Sequence, residues 1–264
     1  MKNLKKYLSI LIISFKSYNV FLGDILGKNI IYIIRVLVII TMFKAIYKFG
    51  NASNTSYTLE QVSWGLIFVQ ALVTSRPQVA EDIQSEIKSG KITNYLLNPI
   101  SYLGYKFIVN FTQYSYNLAI NLSIGIILGF LYLGGIDTSL YGILGGTVLL
   151  IGSMFIQYFA YFLIGLFAFY IEDIAGVRMI YNFLDRLFGG NILPIPFFPA
   201  FIQNIVYLSP FAYTGYTSGL IFSKFEGDKF LYYLSVQFTW MLIYVIVINL
   251  IYRNARKHLV VNGG

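Results

Sequence analysis

The chain has 264 residues, 57% of them hydrophobic and only 11% charged, with no cysteine, one histidine and a formal net charge of +8. Soluble globular domains carry about 25% charged residues, so this composition, with a mean hydropathy of +0.69, excludes an ordinary soluble domain. The missing cysteines exclude a disulfide framework and thiolate metal sites, and the placement of the cations speaks for membrane topology rather than nucleic acid.

Residues 1–28 open with Lys2, Lys5 and Lys6 and continue into an apolar stretch. No small-residue cleavage site precedes Lys28, so the segment is expected to be retained rather than removed as a signal peptide. Its apolar run, Tyr7 to Leu22, is interrupted by Ser9, Ser14, Lys16 and Asn19. A crossing needs about 20 apolar residues, so an interfacial helix on the cytoplasmic face is expected here. Six spans follow: Ile30–Tyr47, Leu59–Val73 closed by Arg76-Pro77, Phe107–Leu133, Tyr141–Tyr170, Ile174–Leu193 and Phe230–Tyr252. The predicted fold is an all-α membrane protein, one transmembrane domain over residues 1–264, with both termini on one side.

Lysine and arginine in short loops set the orientation. With the N-terminus inside, Lys2, Lys5, Lys6, Lys16, Lys28, Arg76, Lys88, Lys91, Lys106, Arg178, Arg253, Arg256 and Lys257 are cytoplasmic. Only Lys44, Lys48, Lys224 and Lys229 fall outside, which places both termini in the cytoplasm.

The one sizeable polar stretch between spans is 78–101. Val79, Ile83 and Ile87 recur at four residues and share a helical face, while Glu81, Asp82, Gln84, Ser85 and Lys88 cover the rest and Gly90 suits a stop. Such a helix either rests on the membrane surface or docks into a groove on a cytoplasmic partner. Residues 194–222 are apolar yet hold four of the six prolines, Pro194, Pro196, Pro199 and Pro210. Proline breaks helices, so two short helices that dip into the membrane and return are expected, hinged at these prolines. Their irregular backbone must then be buried in protein or line a wet cavity.

Polar groups inside spans are the remaining candidates. Asn110, Gln113, Asn117 and Asn121 share one face of the third span. They serve either as interhelical hydrogen-bonding groups or as a polar lining for a substrate path. Arg35, Asp185 and Arg186 are intramembrane ionisable groups. Asp185 is expected to pair with Arg178 through water or with Arg35 across helices, as a structural pair or a part of the passage. Gly125 with Gly129 and Gly142 with Gly146 have the spacing of close helix contacts. No catalytic set is visible, no metal set accompanies His258, and Gly90-Lys91 is followed by Ile92 rather than the Ser or Thr of a nucleotide-binding loop.

Two stretches resemble the permease subunits of type-2 ATP-binding-cassette (ABC) exporters, in particular a bacterial branch of similar size often encoded as permease pairs. One is Glu86-Ile87-Lys88-Ser89-Gly90-Lys91-Ile92 leading to Leu96-Leu97-Asn98-Pro99-Ile100. The other is Gly189-Gly190-Asn191-Ile192-Leu193-Pro194-Ile195-Pro196-Phe197-Phe198-Pro199, continued by Leu208-Ser209-Pro210-Phe211. Members often carry a small residue and glycine before the proline-rich stretch, where this chain has Asn191. The resemblance implies an interfacial N-terminal helix, six spans, a coupling helix between spans two and three, and a re-entrant pair before the last span. It further implies an ATPase-docking set of Glu81, Asp82, Ile83, Glu86, Ile87, Lys88, Gly90 and Lys91. ATP and Mg would bind the partner ATPase, not this chain. A second permease, identical or homologous, would complete the pathway in a bacterial cytoplasmic membrane. The alternative is an ATP-independent secondary transporter or channel, a class that commonly shows paired broken helices in internal repeats; here there is one broken segment. A lipid-acting enzyme lacks its nucleophile or metal set. Drugs, peptides, lipids and glycans all pass through related permeases, and the sequence does not choose among them.

Overall fold

A backbone that must satisfy its own hydrogen bonds in lipid folds into helices. Every regular element among the described residues of this computed structural model is helical. Residues 2–18, 22–49, 57–97, 101–135 and 138–261 are described, with side chains at all of these except 2–5, 18, 22–26, 28, 96–97 and 256–261. Asn98-Pro99-Ile100 of the resemblance therefore lie outside the described residues. So do the side chains of Lys2, Lys5, Lys28, Arg256, Lys257 and His258.

The elements in order are α1 (Lys2–Tyr18), α2 (Leu22–Phe49), α3 (Leu59–Ser75), α4 (Val79–Lys88), α5 (Lys91–Leu97), α6 (Tyr102–Leu133) and α7 (Leu140–Leu166). After these come α8 (Ala175–Phe188), α9 (Ala200–Leu208), α10 (Tyr216–Ser223) and α11 (Gly227–Val261). Helix α1 packs on α6, with Phe15 edge-on to Tyr116, and exposes Leu8, Leu11, Ile12 and Ile13 on its other face.

Helix α3 is the hub. Thr58 and Gln61 form a capping box that fixes its start: the Gln61 N–H donates to Thr58 Oγ1 at 3.3 Å and the Thr58 N–H to Gln61 Oε1 at 3.1 Å. Every residue from Val62 to Leu72 is buried, against α2, α6 and α10. Glycines allow this closeness. A Cβ at Gly219 of α10 would lie 2.5 Å from the Gly65 Cα of α3, and one at Gly129 of α6 would lie 2.4 Å from the Trp64 ring. At Gly125 it would meet the Tyr32 hydroxyl, and at Gly146 the Phe222 backbone at 3.0 Å. The glycine pairs of α6 and α7 are thus contact points between helices.

Four helices are long and apolar enough to cross a membrane, among the described residues: Asn29–Phe49, Tyr102–Leu133, Leu140–Phe169 and Gly227–Ala255. The other two expected spans are shorter. Helix α3 has 17 residues and α8 has 14, or roughly 25 and 21 Å at about 1.5 Å per residue, against a hydrocarbon core of about 30 Å. The expectation of one helix over Ile174–Leu193 is corrected. The chain leaves α8 at Gly189-Gly190, where Gly190 takes φ +70°, a conformation open to glycine, and a Cβ would meet the Tyr216 ring at 2.5 Å.

Residues 194–222 hold α9 and all but the last residue of α10, each helix preceded by a 3₁₀ turn that follows a proline, Pro194 or Pro210. Pro199 stands at the cap of α9. Side chains satisfy the freed carbonyls. Gln203 Nε2 donates to Phe198 O at 2.7 Å and Pro196 O at 3.2 Å, Trp240 Nε1 to Leu208 O at 2.9 Å, and Gln157 Nε2 to Thr214 O at 2.5 Å. Helix α10 is buried between α3 and α7.

Candidate functional site

The amphipathic helix α4 buries its apolar edge inside its own chain. Val79 and Ile83 are 1% and 0% exposed, and Ile87 is half-buried. Their receptor is α7, where Gly165 leaves the space: a Cβ there would meet Ile83 Cδ1 at 2.9 Å and the Ala80 Cα at 3.1 Å. Ile83 is therefore not available to a partner's groove, which corrects its place in the docking set.

Polar contacts fasten α4 on three further sides. Glu81 pairs with Arg178 of α8. Glu86 accepts from Lys106 Nζ at 2.5 Å and from the Tyr102 hydroxyl at 2.8 Å, both on α6. Gln84 Nε2 donates to Glu172 O at 3.2 Å and Asp173 Oδ1 at 3.0 Å in the connection from α7 to α8. The Gln84 amide and the Ala175 N–H hold the Asp173 carboxyl below the usual carboxylate range. Of the expected docking residues, Asp82, Lys88, Gly90 and Lys91 remain exposed, joined by Ser85 and Ser89. Gly90, at φ +70°, ends the helix.

Above α4 a polar cleft opens between α2, α3 and α8. Two cavities of about 470 and 430 Å³ adjoin, sharing Arg35, Val73, Arg76 and Asn182 in their walls. The arrangement follows from helical spacing. On α8, Arg178, Asn182, Asp185 and Arg186 lie at i, i+4, i+7 and i+8 and so face one way. Arg76 sits where Pro77 ends α3. Its guanidinium stacks 3.8 Å from the Tyr161 ring centre and lies 3.4 Å from Asp185 Oδ2. The Tyr161 hydroxyl in turn donates to Asn182 Oδ1. Asp185 thus pairs directly with Arg76 rather than with Arg35, and Arg178 pairs directly with Glu81. Arg35 and Arg186 line the cleft without an ion pair among the described residues.

The amide stripe of α6 is elsewhere. Asn121 Nδ2 donates to Ser75 Oγ at 2.8 Å, joining α6 to α3. Asn110 is buried and donates to Lys106 O of its own helix at 2.9 Å. Gln113 and Asn117 are half-buried, and none of the four lines the cleft. Arg35, Asp185 and Arg186 do come together there, which separates the two groups.

Three polar contacts were not expected. Gln70 donates to the backbone and side-chain oxygens of Asn191, closing one end of the cleft. Tyr114 donates to Gln157 Oε1 at 2.7 Å, and Gln157 reaches Thr214 O, so α6, α7 and the turn before α10 are joined. Gln237 Nε2 donates to Leu149 O at 3.0 Å, linking α11 to α7. A lone amide in an otherwise apolar run signals each of Gln70, Gln157 and Gln237.

The family model described as ABC-2 family transporter protein matches residues 29–263 of this chain. No curated protein matches it.

Proposed function

The chain belongs to the ABC-2 transporter family, and from that premise we propose that it forms half of an exporter's translocation pathway and is driven through α4 by a separate ATPase. Family membership makes it a membrane component of an ABC transporter and implies partnership with an ATP-binding subunit. The finer reading takes six crossings, on α2, α3, α6, α7, α8 and α11, with both termini cytoplasmic in a bacterial inner membrane. The short α3 and α8 fit this reading because α3 is enclosed by protein and α8 is continued by the turn and loop after Gly189. A second permease, identical or homologous, completes the pathway.

One observation carries the coupling. Helix α4 is fastened to α6, α7 and α8 by a buried isoleucine and two ion pairs, while its outer face stays free. A push on that face moves three membrane helices together. It also acts on the cleft, because Glu81 and Arg178 stand in its wall and Arg76 lies three residues before α4. ATP-driven closure of the motor subunits would shift α4 and open or shut the cleft. ATP and Mg would reside in the motor.

Affinity purification from the native membrane, followed by identification of the retained chains, tests this reading. An ATP-hydrolysing subunit is expected, and charge reversal at the exposed Asp82 and Lys88 should release it. Undiminished retention after that reversal would count against α4 as the contact.

A further inference from the structure

The cleft between α2, α3 and α8 is cationic at one level and apolar beside it. Its two cavities are lined by four guanidinium groups against two carboxylates. Arg76 is committed to Asp185 and Arg178 to Glu81. Arg186 also lies in the field of Asp185, but neither it nor Arg35 makes a direct ion pair among the described residues, and both are exposed to the 430 Å³ cavity. A cation held at membrane depth faces protein or water and seeks an anion, and a guanidinium offers carboxylate or phosphate a two-pronged set of donors.

The same cavity has an apolar wall. Ile34, Val38 and Met42 recur along one face of α2, and all three are exposed. From Arg35 to Met42 the helix rises about 10 Å, the length of a good part of an acyl chain. Ile192 faces the cavity from the loop after α8. A small inorganic anion would leave this wall unused, and a neutral lipid would leave the two arginines unpaired.

We propose that this cleft binds an anionic amphiphile, its acidic headgroup held between Arg35 and Arg186 and its chain lying along Ile34, Val38 and Met42. The inference deepens the transport reading by naming a cargo class, and it rests on that reading only for the ligand's being cargo. A resident acidic lipid and a soluble anionic amphiphile share this chemistry.

The test uses the full chain purified with its co-purifying subunits. Retention of phosphatidylglycerol and phosphatidylcholine is measured by native mass spectrometry. Binding of a pyrene-labelled fatty acid and of its methyl ester is measured by fluorescence. The acidic member of at least one pair should bind several-fold better. The double variant R35Q/R186Q should lose at least tenfold of that binding, and R35K/R186K should keep most of it. V38W, which leaves both charges in place, should also weaken binding by blocking the chain's path. Thermal melts run alongside separate lost binding from lost folding. A preference for the lipid alone identifies a resident acidic lipid. A preference for the fatty acid, with stimulated ATP hydrolysis, identifies cargo. Equal binding of acidic and neutral members in both pairs would overturn the proposal, as would full binding by R35Q/R186Q. Either failure with the ATPase still attached would leave the transport reading intact.

Discussion

Truncating Ile83 to alanine should free α4 without unfolding the rest of the protein. Ile83 is fully buried, and its Cδ1 occupies the space that Gly165 leaves on α7. The outer face of α4 carries Asp82, Ser85 and Lys88 in exposed positions, so the released helix meets water and the hydrophobic penalty applies in full. Removing three carbons from such a site costs about 2–5 kcal/mol, the transfer loss plus the cavity left behind. A helix of 10 residues has no stability of its own, because isolated helices below about 12–15 residues are marginal. The cost therefore appears as local opening. At about 1.4 kcal/mol per factor of ten, amide exchange in 79–88 should accelerate by roughly 30- to 3,000-fold. Exchange in α3 and α10 should stay as it was. The assay is hydrogen exchange by mass spectrometry in nanodiscs. Unchanged exchange in α4, or equal acceleration throughout the chain, would refute the packing account.

Three further outcomes follow from named contacts. Asp185→Asn leaves the largely buried Arg76 without its counter-ion and should destabilise by about 3–5 kcal/mol; the combination with Arg76→Met should recover part of that in a double-mutant cycle read by thermal melting in detergent. Gly219→Val forces a side chain against the Gly65 backbone, and the overpacking should cost at least about 1–3 kcal/mol, whereas Gly176→Ala, with nothing within 4 Å, should leave the melting temperature unchanged. The depressed Asp173 carboxyl binds the Gln84 amide in its ionised form. Its contribution to holding α4 is present above the ordinary carboxylate pKa and is lost as pH falls through the lower folded value, so exchange in α4 should rise only at acid pH, and Asp173→Asn should remove that pH dependence.

Local signals carried much of this architecture. The four-residue recurrence of Val79, Ile83 and Ile87 marks α4, and the four prolines mark the broken stretch that holds α9 and α10. The surface that receives the α4 edge was not legible, since Gly165 lies 82 residues downstream of Ile83 and its contact is a tertiary fact. The partner of Asp185 was hidden for the same reason. Arg76 reads as a loop cation that closes the second span, yet the bend at Pro77 aims it at Tyr161 and Asp185. Hydropathy also overstated the fifth span. Ile192 and Leu193 extend the apolar stretch beyond Asn191, but the Gly189-Gly190 pair lets the backbone turn away from the helix before them. The amides of α6 share one face by spacing, and spacing alone left open whether that face meets a helix or a passage; Asn121 meets α3.

The proposed coupling requires the exposed face of α4 to lie where a cytoplasmic motor can reach it, and the chain's lack of cysteine makes this directly measurable. A single Ser85→Cys substitution supplies one thiol at an exposed position of α4. In intact cells a membrane-impermeant maleimide should leave it unlabelled. After permeabilisation it should react, and the co-purifying ATPase should protect it. Labelling from outside intact cells would place α4 on the wrong side of the membrane and contradict coupling through it.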